Sequence, residues 1–175
     1  MGGEQYSSSP VLHHSRVSFM RHPSLLPLSH DHHHGLALAL RCRKQALGQI
    51  KPMGAAGLRE RAAEVVAFYE TNLRTHFRAE EEVLFPQLRE LVPESRQLVE
   101  SLAVDHEQLR GMIEQIKSGA GLAKLVFDLG DLLERHIRKE ERELFSLFEQ
   151  RVDAPSAEAM GVEINRVLKA GDRPS

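Results

Sequence analysis

The chain has 175 residues, a formal net charge of −2, one cysteine and no tryptophan. This length fits one domain with tails. The balanced charge predicts no nucleic-acid surface, and a single cysteine excludes an internal disulfide. Because the sequence contains neither a long apolar run nor a signal-peptide pattern, we expect no membrane association and a cytoplasmic location.

The first predicted helix follows a polar, irregular segment. Pro27-Leu28-Ser29 is expected to open this helix, with Ser29 as its N-cap. The sequence Lys51-Pro52-Met53-Gly54 is expected to end it. The apolar stripe of this helix is expected to consist of Leu36, Leu40, Leu47 and Ile50.

Three further long helices and one short helix are predicted after this. The second begins near Gly57, and Pro86 is expected to kink it. The third, fourth and fifth are expected over residues 93–117, 122–151 and 157–169. The predicted organisation is all-α, with a flexible leader over 1–23, an up-down-up-down four-helix bundle over 24–152, and a short C-terminal helix with a tail over 153–175.

Two tetrads on the second and fourth helices have the same design. They are His76-Phe-Arg-Ala-Glu80 and His136-Ile-Arg-Lys-Glu140. Positions i and i+4 lie on the same face of a helix, so each tetrad aims one imidazole and one carboxylate at one point. His106 lies on the apolar stripe of the third helix, and the first helix offers His32 or His33. Every long helix therefore turns a histidine inward.

A buried carboxylate is costly unless it is paired or bound to a metal. Hydrogen-bonded core histidines with rim ion pairs, such as Glu80 with Arg78, would be the alternative explanation. Imidazole with carboxylate suits iron, manganese or zinc. Two carboxylates that can bridge favour a dinuclear site. On the first helix, His33 continues the leucine stripe at heptad spacing, whereas His32 reaches Leu36 at i+4, so periodicity favours His33 and leaves both as candidates.

Residues 24–150 resemble the hemerythrin-like (HHE cation-binding) family. Ferritin-like bundles, which use Glu-x-x-His, do not fit the His-x-x-x-Glu order. The motifs that carry the resemblance are Leu28-Ser29-His30-Asp31-His32-His33, His76-x-x-x-Glu80 with Leu84-Phe85-Pro86, Asp105-His106-Glu107, and His136-Ile137-x-x-Glu140-Glu141 with Leu144-Phe145.

The resemblance implies a non-haem di-iron centre, with two iron ions that an oxo or hydroxo group can bridge. It implies that Glu80 and Glu140 bridge the irons. The terminal ligands that it implies are His76, His106, His136 and one of His32 and His33.

One position departs from the pattern of the oxygen-carrying members. They place a second histidine four residues after the one on the third helix, where this chain has Arg110. The resemblance then implies binding of O₂, NO or a reactive oxygen species for sensing or stress response, rather than simple oxygen carriage. An enzyme that reduces peroxide or NO, and an iron-storage or iron-handling protein, are the alternatives. The expected partner is a small diatomic or peroxide ligand, and a homodimer is left open.

Some further polar residues near the tetrads are candidates for supporting roles. Tyr69 lies on the same face as His76 and is a candidate hydrogen-bond donor to a bound oxygen species. Four glutamates are candidates for supporting the ligands or for iron uptake, the alternative being a solvated acidic face: Glu81, Glu82, Glu141 and Glu143.

Overall fold

The computed structural model describes residues 20–171, so most of the expected leader and the last four residues lie outside the described part. Five helices form the described chain. They are α1 (Leu26–Ala46), α2 (residues 54–91), α3 (Arg96–Ser118), α4 (residues 122–151) and α5 (Ala154–Gly171). Short 3₁₀ turns, Pro23–Leu25 and Pro93–Ser95, lead into α1 and α3.

The start of α1 differs from the sequence prediction. The helix begins at Leu26 and has Pro27 in its first turn, where the fixed φ of proline favours a helix and its missing N–H costs nothing. Ser29 therefore lies inside the helix, and its predicted role as N-cap is wrong. Its hydroxyl instead donates to Glu141 Oε1 on α4, at 2.7 Å.

Helices α2 and α4 contain π-helical turns. One π turn, Glu80–Leu84, lies between the α-helical segments Arg74–Ala79 and Phe85–Leu91, and a matching turn, Glu140–Leu144, lies between Leu122–Lys139 and Phe145–Arg151. In each, the N–H of the following phenylalanine donates to the carbonyl of the first glutamate.

Pro86, which is predicted to kink α2, lies directly after the π turn Glu80–Leu84, and the helix continues to Leu91. Because α4 has Ser146 where α2 has Pro86, the shared π turn does not depend on proline. A second π turn, Tyr69–Leu73, follows the first α-helical segment of α2, Gly54–Phe68, and has no counterpart in α4.

The long helices pack as the predicted up-down-up-down bundle. Helix α1 contacts α2 and α4, and α3 contacts the same two helices. Helix α5 lies outside the bundle against the middle of α2. Its buried side belongs to the same hydrophobic core as the bundle and consists of Ala157, Met160, Ile164 and Val167.

Two hydrophobic clusters fill the bundle, one towards each end. The first includes Leu28, Leu84, Leu102, Leu144 and Phe145. The second includes Leu38, Phe77, Leu109, Leu133 and Ile137. On each long helix the inward-facing polar residues come between members of the two clusters, so a polar layer separates two apolar ones.

The contact between α1 and α4 depends on small residues. A Cβ at Gly130 of α4 would lie 2.7 Å from the carbonyl oxygen of Ala39, and one at Gly35 of α1 would lie 2.7 Å from Ile137 Cδ1. Glycine therefore lets the two backbones approach closely at the level just beside the polar layer. Among residues 20–171, no helix combines the length and apolar character that a membrane crossing needs.

Candidate metal centre

The polar layer consists of residues from all four long helices, each at most 3 % exposed. Helices α1 and α3 each contribute one histidine, while α2 and α4 each contribute one His-x-x-x-Glu arm. The six residues are His32, His76, Glu80, His106, His136 and Glu140.

These residues form two overlapping sets of possible metal ligands, and both glutamates belong to both sets. In each set, one ligand atom per residue lies within 4.8 Å of all the others. The first set is His32, His76, Glu80 and Glu140, and the second is Glu80, His106, His136 and Glu140.

The Nε2 atoms of the four imidazoles point at the two glutamates. Each glutamate receives one imidazole from its own helix and one from a neighbouring helix. The distances to a carboxylate oxygen are 3.0 Å for His76 and 3.2 Å for His106 at Glu80, and 3.1 Å for His32 and 3.3 Å for His136 at Glu140.

The Nδ1 atoms point outwards, each at a carboxylate from an adjacent helix. The distances are 2.7 Å for His32 and Glu141, 3.1 Å for His76 and Asp31, 2.7 Å for His106 and Glu81, and 3.5 Å for His136 and Asp105. An ionised carboxylate only accepts hydrogen bonds, so Nδ1 of His32, His76 and His106 carries the proton and Nε2 presents its lone pair to the centre. Nδ1 of His136 lacks a hydrogen bond in good geometry, and the nearby Asp105 charge favours the same tautomer.

The centre consequently contains acceptors and lacks donors. The Nε2 atoms of His106 and His136 are only 3.1 Å apart. All four carboxylate oxygens of Glu80 and Glu140 are buried without a hydrogen-bond donor in good geometry. Lone pairs and anions that converge in this way repel each other, unless cations lie between them. The donor set therefore fits a metal site.

The pKa values of the same groups indicate that the buried centre is stabilised by positive charge. Burial alone would lower the pKa of His76, but the Glu80 charge and a hydrogen bond to Asp31 raise it to about 10. Burial likewise opposes the charge on His136, whose pKa the Glu140 charge raises to about 9. Burial raises and the histidines lower the pKa of Glu80, with a net lowering. Without a metal, protonated imidazoles would supply the positive charge.

Three of the four outer carboxylates are also held by a cationic side chain. Glu141 accepts from Arg21 at 2.6 Å, Glu81 from Arg110 at 2.8 Å, and Asp105 from Lys139 at 3.0 Å. Partial burial opposes charge on Glu81 and Glu141, but their histidine and arginine partners lower both pKa values to about 2. Arg21 belongs to the expected leader, which thus contacts α4 at this point.

Phenylalanine rings form the walls beside the imidazoles. The ring of Phe77 stacks on His106 with centroids 3.9 Å apart, and Phe85 lies on His106 at 5.6 Å. Phe145 stacks on His32 at 5.5 Å. The guanidinium of Arg110 lies 5.5 Å from the Phe77 ring. Arg110 therefore does not belong to the ligand cluster, and it reaches His106 only through Glu81.

The structure brings together six of the seven predicted site residues and leaves out His33. This side chain is exposed, and its Nδ1 donates to the Ser29 carbonyl at 2.9 Å. The preference for His33 over His32 assumed that the leucine stripe is the buried face of α1. It is not, because Leu40 and Leu47 are 44 % and 59 % exposed. The buried face of α1 is instead Leu28, His32, Gly35, Leu38, Ala39, Cys42 and Gln45.

The outer residues were only partly anticipated. Among the four candidate glutamates, Glu81 and Glu141 contact histidines of the cluster, whereas Glu82 and Glu143 lie exposed. Arg78 pairs with Glu82 rather than with Glu80, so the rim ion pair does not explain the buried glutamate.

Asp31 and Asp105 belong to the motifs that carry the resemblance, and their spacing alone predicts no role for them. A signal was present, because each aspartate directly precedes the histidine of its helix. Tyr69, the candidate donor to a bound oxygen species, instead adjoins Arg110 and contributes to raising the pKa of that guanidinium.

The comparisons with known proteins agree with this geometry. The family model described as hemerythrin HHE cation-binding domain matches residues 25–148, which include all six clustered residues. No curated protein and no solved structure gave a significant match.

Proposed function

The chain belongs to the hemerythrin HHE cation-binding domain family, and on this premise we propose that its centre holds two iron ions and binds O₂, NO or a reactive oxygen species for sensing or stress response. One observation carries the proposal: two four-residue ligand sets share both glutamates. Two ions that shared two carboxylates would each keep two imidazoles of their own.

The ligand roles follow from the sets. Glu80 and Glu140, whose oxygens face both sets, are proposed to bridge the ions. His32 with His76, and His106 with His136, are proposed as terminal ligands of the first and second ion. The outer carboxylates keep the proton on each Nδ1 and so keep each Nε2 available. When bound, iron supplies open coordination positions and a change of oxidation state to a small ligand.

The surroundings limit the size of the ligand. All six clustered residues are at most 3 % exposed, and phenylalanine rings cover the imidazoles. A diatomic molecule or a peroxide fits such a site, whereas a larger organic substrate would need the core to open. Only these two overlapping sets of possible ligands occur in residues 20–171, which favours a binding centre of fixed content over a store of many ions.

Metal content and an optical spectrum test the proposal. Protein expressed with iron and purified in air should contain close to two equivalents of iron per chain and show the charge-transfer absorption of a dinuclear ferric centre. The reduced protein should then bind O₂, NO or peroxide in a spectroscopically defined complex.

Other outcomes separate the alternatives. A reproducible value of one equivalent, or zinc alone, would contradict the dinuclear site. Rapid catalytic consumption of NO or peroxide by the reduced protein would identify an enzyme instead. A matched variant, Glu82→Ala, changes an exposed glutamate outside the cluster and should retain the iron content and spectrum of the wild type.

A further inference from the structure

The four outer carboxylates differ in what covers them from the solvent side. Glu141, Glu81 and Asp105 each accept from an arginine or lysine. Among residues 20–171, Asp31 pairs with His76 and with no lysine or arginine. A fixed cation repels an approaching metal ion. Positive charge therefore lies beside three of the four outer carboxylates, and the corner of the centre at Asp31 has none from a lysine or arginine of residues 20–171.

A surface cavity of about 250 Å³ opens at this same corner. Its lining combines the apolar Pro27 and Leu168 with five polar residues: His30, Asp31, Thr71, Asn72 and Thr75. The carboxylate of Asp31 is 24 % exposed on the cavity side, and its Oδ2 lies 3.1 Å from Nδ1 of His76. One residue thus contacts both the open cavity and a ligand of the centre.

Three of the lining residues belong to elements that have no counterpart elsewhere in the bundle. Thr71 and Asn72 belong to the π turn Tyr69–Leu73, which α4 lacks, and Leu168 belongs to α5. The final turn of α5 approaches α2 closely, because a Cβ at Gly171 would collide with the Thr75 side chain. Irregular helical turns of this kind are common at functional sites.

We propose that this cavity is the route by which a divalent cation reaches the centre, with Asp31, His30 and Asn72 as a transit site. The proposal rests on the proposed function, because it assigns a path to the metal held there. A carboxylate, an imidazole and an amide oxygen are a mixed donor set that ferrous iron accepts. Six water molecules at roughly 30 Å³ each occupy about 180 Å³, so the cavity admits an ion with its hydration shell.

The test compares Asp31→Asn with Asp105→Asn in the full chain. Both variants keep an oxygen that can accept from the ligand histidine, and both remove one negative charge. Metal-free protein is mixed anaerobically with ferrous iron, and the rate at which iron becomes inaccessible to a chelator is measured. Both aspartates hold a histidine of the centre, so both variants should weaken iron binding to a similar extent. Asp31→Asn should in addition slow uptake roughly tenfold relative to Asp105→Asn, through the loss of electrostatic attraction at the cavity.

A second pair of variants tests the cavity without touching a carboxylate. Thr71→Leu fills the cavity from an exposed position and should also slow uptake. Ser101→Leu makes the same change in the larger groove beside Lys139, on the Asp105 side, and should not. The two leucine variants change no residue of the centre and should reach the final iron content of the wild type. The two asparagine variants should match each other in final iron content, and circular dichroism checks that all four variants fold.

The outcomes distinguish the route from the function. Equal uptake rates for the two asparagine variants, or for the two leucine variants, would overturn the route. The di-iron proposal would still stand if the wild type took up close to two equivalents of iron. A wild-type chain that takes up no iron would overturn both proposals.

Discussion

The helix pair α1–α2 and the helix pair α3–α4 each supply one aspartate–histidine link, one His-x-x-x-Glu arm and one π turn that begins at the glutamate. Within each pair, the aspartate of the first helix holds the histidine of the second. Between the pairs, the glutamate that directly follows each arm contacts the first-helix histidine of the other pair. Glu141 contacts His32, and Glu81 contacts His106. The inner arrangement is therefore the same in both pairs.

The outer surroundings of the two pairs are different. His106 lies under Phe77 and is tied through Glu81 to Arg110, whereas the residues at the corresponding positions beside His32 are Ile137 and Leu36. Only α2 has the additional π turn. The comparison teaches that the two pairs repeat the inner residues, while each pair has its own way of closing the centre from solvent.

The largest expected effect is on the repeated inner residues. Glu80→Ala and Glu140→Ala should each lose most of the bound iron, and to a similar extent, because each carboxylate belongs to both ligand sets. Elemental analysis of purified variants measures this. Glu143→Ala, on the exposed side of the matching turn, is the control and should keep its iron. A large difference between the two glutamate variants would break the equivalence of the pairs.

The next effect concerns α1, where two adjacent histidines compete. His32→Ala should lose iron or perturb the spectrum of the whole centre, because its Nε2 faces Glu140 and its Nδ1 is held by Glu141. His33→Ala should be indistinguishable from the wild type in iron titration. The reverse result would mean that α1 is rotated by about 100° relative to the structure.

A smaller effect is expected at the seam between the pairs, where α1 meets α4. Gly130→Ala should destabilise the protein by roughly 1–3 kcal/mol, because the new methyl group would press on the α1 backbone. Gly111→Ala on α3 has open space around it and should stabilise the helix by roughly 0.5–1 kcal/mol. Urea unfolding of both variants provides the values. If Gly130→Ala left the free energy of unfolding unchanged, α1 and α4 would be packed less closely than the structure shows.

The smallest effect is a dependence on pH. The pKa of Glu81 is lowered from its ordinary value of 4.5 to about 2. A lowered folded-state pKa stabilises the protein above pH 4.5, and this contribution is lost as the pH falls towards 2. Glu81→Gln should therefore melt below the wild type near neutral pH and converge with it in acid. Glu82→Gln should follow the wild type throughout, because Glu82 is half exposed. A difference in melting temperature between the wild type and Glu81→Gln that stays constant from neutral pH into acid would contradict this.

The sequence predicted best those features that depend on spacing within one helix. The arms on α2 and α4 could be predicted because i and i+4 positions share a face whatever the surroundings. His32 could not be distinguished from His33, since α1 carries leucines on exposed positions such as Leu40 and Leu47. Burial depends on neighbouring helices, and one helix in isolation does not contain that information.

Two kinds of feature lay beyond such spacing rules. The π turns change the phase of α2 and α4 by inserting a residue, and proline does not mark them, because α4 has Ser146 where α2 has Pro86. The outer carboxylates contact histidines of other helices, which spacing along one helix does not reveal. Asp31 is next to His32 in the sequence, but it contacts His76. Helix α5 also extends beyond the predicted residues 157–169, from Ala154 to Gly171.

The alternating contacts between the two helix pairs have a consequence for protein design. A hairpin over residues 93–152 contains the contact between Asp105 and His136 and the arm that ends at Glu140. It also contains Glu141, which contacts a histidine of the other pair. Two copies of this hairpin, related by a twofold axis, would contain every type of residue that surrounds the centre. The bundle is therefore a template for a minimal symmetric metalloprotein assembled from two identical peptides.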